Sequence, residues 1–223
     1  MARDIAGAVA AQAGLVAALT ALAQPVESGA DGTAADQQVR QPSRLPGWTV
    51  GHVLTHIARN ADSHVRMFAA ARRGEVGAQY PGGVEERNAE IDQGSTRHAH
   101  ELVADVAETC ARLEHEWATL PADAWNGEGL TVFGPAPLRE LPVRRWREIA
   151  VHHADLGLGY SHCTWPADYV RIDLNRASML WASRRPMGLT ALPAAALALD
   201  DRDRLAWLLG RLDVPGLDPA GIM

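Results

Sequence analysis

The sequence predicts a mainly α protein: a four-helix bundle followed by a small α+β domain. Three observations point there. Four long segments carry apolar residues at helical spacing, long Gly- and Pro-rich stretches separate them, and the texture changes after residue 160. With 223 residues, 47% hydrophobic and 22% charged, the chain can bury a sizeable core without disulfides or other staples. The expected domains are residues 1–160, the bundle, and residues 161–223, the α+β appendage. No fixed-period internal repeat is visible.

The first helix is expected over residues 3–24, stopped by Pro25. Ile5, Val9, Val16 and Leu19 fall on helical spacing, with Leu15 and Leu22 on the same broad face. Asp4 in the flank and Gln12 in mid-run favour an amphipathic helix over a secretion signal. Residues 27–46, rich in Gly, Asp, Gln, Pro and Ser, are read as a loop. A second helix follows Pro46-Gly47-Trp48, with Thr49 as its N-cap and Gly74 at its end. Its stripe is Val50, Val53, Leu54, Ile57 and Ala58.

Tyr80-Pro81-Gly82-Gly83 reads as a turn and residues 85–91 as a short helix. A third long helix spans residues 96–120, with Leu102, Val103, Val106, Cys110, Leu113 and Trp117 on one side and Pro121 closing it. Residues 125–137 form an extended loop with a short strand at 130–133, before a fourth helix over 141–158. In the tail, residues 166–185 read as helix and 188–192 and 195–199 as two short strands around Pro193. Residues 200–212 read as a last helix capped by Asp200 or Asp201.

Composition excludes several functions. A net charge of −6 disfavours nucleic acid as a partner, because phosphate binding needs a basic face. All 21 basic residues are Arg. Without Lys there is no Walker-type phosphate loop and no Schiff-base chemistry, whereas Arg clamps carboxylates in bidentate fashion. Two cysteines, Cys110 and Cys163, are too few for a disulfide framework and suggest a reducing, cytoplasmic setting. No membrane partner is expected.

The fourth helix carries the densest chemistry, in Arg145-Trp146-Arg147-Glu148-Ile149-Ala150-Val151-His152-His153-Ala154-Asp155. Glu148 and His152 are four apart and share a helix face. Inside a bundle such a pair is a metal-ligand arrangement; on a surface it is an ordinary ion pair. The second helix offers His52 and His56, again four apart. His52 with Glu148 and His152 would give three N/O ligands and leave a fourth position open, the composition of a catalytic zinc site. A His52–His56 pair is the competing ligand set. Asp155 is placed to orient a ligand imidazole or to pair with an arginine.

The stretches LPGWTVGHVLTHIARNADSHVRM, YPGGVEERNAEIDQGSTR and RWREIAVHHADLGLGY resemble the mycothiol-dependent maleylpyruvate isomerases, members of the DinB-like group of four-helix-bundle metalloproteins. The resemblance covers most of residues 40–160. It implies a DinB-like bundle and a zinc ion (or another divalent metal) held by His52, Glu148 and His152. It also implies that mycothiol, a low-molecular-weight thiol, is the cofactor. Arg87 is implied to bind substrate, with Arg211, in Leu209-Gly210-Arg211, as a second substrate arginine from the C-terminal domain.

The implied reaction is cis–trans isomerisation of maleylpyruvate to fumarylpyruvate, in gentisate degradation. A thiolate adds to the conjugated C=C bond, rotation follows, and the thiolate leaves. Arg87 and Arg211 would hold the carboxylates of the dicarboxylate substrate. Two other functions use the same bundle: a mycothiol S-transferase acting on an electrophile in detoxification or secondary metabolism, and a non-catalytic metal-binding bundle.

Overall fold

The computed structural model describes residues 1–23, 33–184 and 190–221. The chain divides into two compact units, Met1–Leu158 and Gly159–Met223.

The first unit begins with α1 (Ala2–Ala23). Asp4, Ala8, Gln12, Leu15 and Leu19 form its buried stripe, at steps of three and four residues. By length and composition alone α1 could cross a membrane. Its Gln12, however, is buried and polar, and donates to Glu114 Oε1 at 2.7 Å, as suits a helix packed within a protein.

A helix, α2 (Thr33–Arg40), lies where a continuous loop was expected. One apolar side chain, Val39, inserts it into the core. Asp36 holds it to the next bundle helix but one: its carboxylate accepts from Ala99 N at 2.7 Å and pairs with His98 Nδ1 at 2.8 Å.

The second bundle helix, α3 (Val50–Ala71), starts at Thr49 as expected. The Thr49 hydroxyl accepts from His52 N, while His52 Nδ1 accepts from Thr49 N at 3.2 Å. This is a capping box with histidine in the place that Glu or Gln usually fills. Gly74, at φ +72°, follows the last turn.

Next come β1 (Gly77–Ala78), α4 (Gly83–Gly94) and α5 (Ala99–Thr119), then the hairpin strands β2 (Glu128–Thr131) and β3 (Gly134–Pro137). The sheet order is β1-β2-β3, with β1 parallel and β3 antiparallel to β2. It lies directly on α3, because a Cβ at Gly129 would come within 2.5 Å of Met67 Sδ and one at Gly77 within 2.9 Å of Met67 Cα. The bundle closes with α6 (Leu141–Asp155), begun by Pro142 in its first turn. Leu54, Ile57, Leu102, Val106 and Ile149, with Leu15 and Leu19, make the core between these four helices.

The second unit contains α7 (Ala167–Ser183), α8 (Ala194–Leu197) and α9 (Asp201–Leu208). Its described elements are helical, which corrects the α+β expectation. Residues 195–199 form most of α8 and the turn after it, not a strand. The strand expected at 188–192 is absent from residues 190–192, and 188 and 189 lie outside the described residues. Pro193, at φ −58°, sets a helix start before an alanine run whose intrinsic preference is helical. Asp200 caps α9, accepting from Asp203 N at 2.9 Å. Trp165, Tyr169, Trp181 and Trp207 fill this small core. The indole N–H groups of Trp181 and Trp207 donate to Ala191 O at 3.1 Å and Asp218 O at 3.0 Å, tying irregular chain to the helices.

Candidate metal centre

Within the first unit, α3 and α6 bring three side chains together. His56 Nε2 lies 2.5 Å from Glu148 Oε1 and 3.2 Å from His152 Nε2, and His152 Nε2 lies 3.5 Å from Glu148 Oε1. One donor atom from each falls within 4.8 Å of the others, so the set could hold a metal ion. The four-residue step on α6 places Glu148 and His152 on one face, as the sequence predicts. The His56 and His152 rings meet edge to face, and Trp48 closes on His56 at 5.5 Å between centroids.

The donors are supported from behind. His152 Nδ1 lies 2.9 Å from Asp155 Oδ2, and Asp155 is buried. The carboxylate holds a ring proton on Nδ1 and orients Nε2 toward Glu148 and His56, the usual support for a metal-ligating histidine.

Electrostatics divide the three. Burial would depress His152, but hydrogen bonds to Asp155 and Glu148 and their charges outweigh it and raise its pKa to about 9. Burial dominates at His56, and its pKa falls to about 4 despite Glu148 beside it. Burial opposes ionisation of Glu148, yet the two histidines hold its carboxyl well below the usual range.

Arg145, three residues before Glu148 on α6, is fully buried. Its guanidinium donates to Gln12 Oε1 at 2.9 Å, to Ile57 O and Asn60 Oδ1 at 2.8 Å, and to Cys110 Sγ at 3.4 Å. Cys110 is thereby occupied in the core, and burial pushes its thiol up, which unsuits it as a nucleophile. Neither Arg145 nor Tyr80 was singled out for the site from the sequence. The steps His56, Asn60 and His64, each four residues on and all buried, were the available signal.

The structure does not bring His52 into this cluster. Its Nδ1 caps α3, and its Nε2 lies 3.7 Å from Asp92 Oδ1. His56, the other member of the competing pair, takes its place one turn on. Arg87, on α4, does reach the centre: its Nη2 is 3.1 Å from His56 Nδ1 and its Nη1 is 2.9 Å from Asn88 Oδ1. The guanidiniums of Arg87 and Arg66 lie 6.0 and 5.9 Å from the centroid of the buried Tyr80 ring. Arg211 belongs to the second unit, where its Nη1 donates to Leu209 O at 2.7 Å just after Gly210.

A helical bundle with a His/Glu/His donor set contributed by two of its helices defines a protein with a candidate metal centre. Residues 6–157 match the family described as "Mycothiol maleylpyruvate isomerase N-terminal domain", and the chain belongs to that family. Its fold is similar to the crystal structure of a mycothiol-dependent maleylpyruvate isomerase, with a TM-score of 0.77, 24% identity, and coverage of 94% of this chain and 88% of that one. A histidine-to-alanine mutant of a mycothiol-dependent maleylpyruvate isomerase matches with the same figures. No curated protein matches the chain in sequence.

Proposed function

We propose that this protein is a metal- and mycothiol-dependent cis–trans isomerase that converts maleylpyruvate to fumarylpyruvate. The observation that carries this reading is the His56–Glu148–His152 donor set with Arg87 against it, in a chain of this family. The three residues would hold a divalent metal, zinc by the chemistry of the donors. When bound there, the metal supplies the Lewis acidity that keeps a thiol in its nucleophilic thiolate form.

The other steps fall to the chain and its two small molecules. Mycothiol, when bound, would supply a thiolate able to add reversibly to the conjugated C=C bond and so permit its rotation, with nothing oxidised or reduced. Arg87 binds one carboxylate by charge-assisted hydrogen bonds. Asp155 keeps the His152 ring oriented.

The test follows maleylpyruvate absorbance with the zinc-loaded protein, with and without mycothiol. Turnover that requires the thiol is the expected result. No turnover with zinc and thiol both bound overturns the isomerase and points to S-transfer; no zinc bound overturns the metal centre as well.

A further inference from the structure

Arg87 and Glu148 sit at opposite nitrogens of the same ring. Arg87 Nη2 is 3.1 Å from His56 Nδ1, and Glu148 Oε1 is 2.5 Å from His56 Nε2. A guanidinium only donates, and it keeps its proton at every ordinary pH. In this contact Nδ1 therefore accepts, and the ring proton sits on Nε2, facing Glu148. A metal held at Nε2 needs the opposite tautomer, with the proton on Nδ1. Arg87 and His56 would then present two donors to one another. His152 shows the contrast, since its Nδ1 faces the Asp155 carboxylate, an acceptor that favours the metal-binding tautomer. The two histidines of one centre are thus supported in opposite senses.

Two facing donors are satisfied together when one oxygen accepts from both. A carboxylate does this and also neutralises the guanidinium. Arg87 is half-buried, so part of it stays open to such a ligand.

We propose that Arg87 couples the metal centre to a carboxylate ligand: resting on His56 it opposes metal binding, and a carboxylate oxygen shared between Arg87 Nη2 and His56 Nδ1 lifts that opposition. Metal and anion then strengthen one another's binding by the same factor. This rests on the ligand set of the proposed function and adds a regulation to it.

The test measures zinc affinity of the full-length, metal-stripped protein by competition with a chromophoric chelator, in carboxylate-free buffer and then with fumarate as a dicarboxylate probe. Without fumarate, Arg87→Met is expected to bind zinc about tenfold more tightly than wild type, within the usual range for coupled sites. Fumarate is expected to tighten zinc binding to wild type and to leave Arg87→Met unchanged. Arg87→Gln is expected to move in the same direction and serves if the Met variant folds poorly. Equal or weaker zinc binding in the variants overturns the coupling. So does an equal fumarate effect in wild type and variant, which places the anion on the metal. His152→Ala separates the two readings. If it binds zinc as well as wild type does, the ligand set itself is wrong. If zinc binding depends on His152 but Arg87→Met binds no tighter, only the coupling fails.

Discussion

His52 and His56 stand one turn apart on α3 and do different things. His52 spends its Nδ1 on the Thr49 N–H at the helix start, and Trp48 stacks on its ring at 6.1 Å. His56 is buried and turned toward Glu148. His56→Ala, Glu148→Ala and His152→Ala are therefore each expected to lose bound zinc while the far-ultraviolet circular dichroism stays helical. His52→Ala is expected to keep zinc and to lose about 1 kcal/mol of stability, the usual scale for a broken helix cap. Zinc content after dialysis and urea midpoints decide it; zinc retained by His56→Ala and lost by His52→Ala would reverse the assignment.

At the scale of elements, the position of Arg87 depends on how closely α4 lies against α3. A Cβ at Gly51 would strike the Ser95 carbonyl at the end of α4, and one at Gly94 would come within 2.5 Å of Thr55 Cγ2. Gly51→Ala should push the two helices apart and cost about 1–3 kcal/mol. Because α3 itself keeps the metal donors, zinc content should hold while turnover of the dicarboxylate weakens through a raised KM. An unchanged urea midpoint would mean that this contact gives way freely. The long bundle helices were legible in the sequence because apolar residues recur over several turns, as on α5 from Leu102 to Trp117. The segment Thr33–Arg40 was not, since a single buried apolar residue, Val39, gives no period and Asp36 acts through a distant partner. Residues 195–199 were read as strand for want of a stripe, although the propensity of this Ala- and Leu-rich run is helical. Spacing put Glu148 and His152 on one face, but the same spacing fits an ordinary ion pair, and the family resemblance was needed to read them as ligands. The α3 ligand was not legible, because His52 and His56 share that spacing and a local cap, invisible to periodicity, separates them.

For the whole molecule, the buried histidines set how metal-free stability depends on pH. His64 is the clearest, being outside the donor set, two turns on from His56, and buried, with no partner for its Nδ1. Burial first, then the charge of Arg145, lower its pKa to about 3. A histidine depressed in the folded state contributes fully above its unfolded pKa of about 6.5, and that contribution is lost as pH falls toward the folded value. His56 and His153, lowered by burial to about 4, add to the same acid-side loss. His152 has the opposite sign. Raised to about 9, its contribution is complete below about pH 6.5 and is lost as pH rises through 9. Metal-free protein should thus lose the histidine contribution on both sides of pH 6.5. His64→Leu removes one buried titrating group and its unpartnered nitrogen together. The variant should be at least as stable as wild type at pH 7 and should lose stability less steeply on acidification. The difference in slope should approach 1.4 kcal/mol per pH unit between about pH 5.5 and 4. Urea midpoints of wild type and variant across that interval measure it directly, and parallel acid flanks would show that His64 does not stay neutral inside the folded bundle.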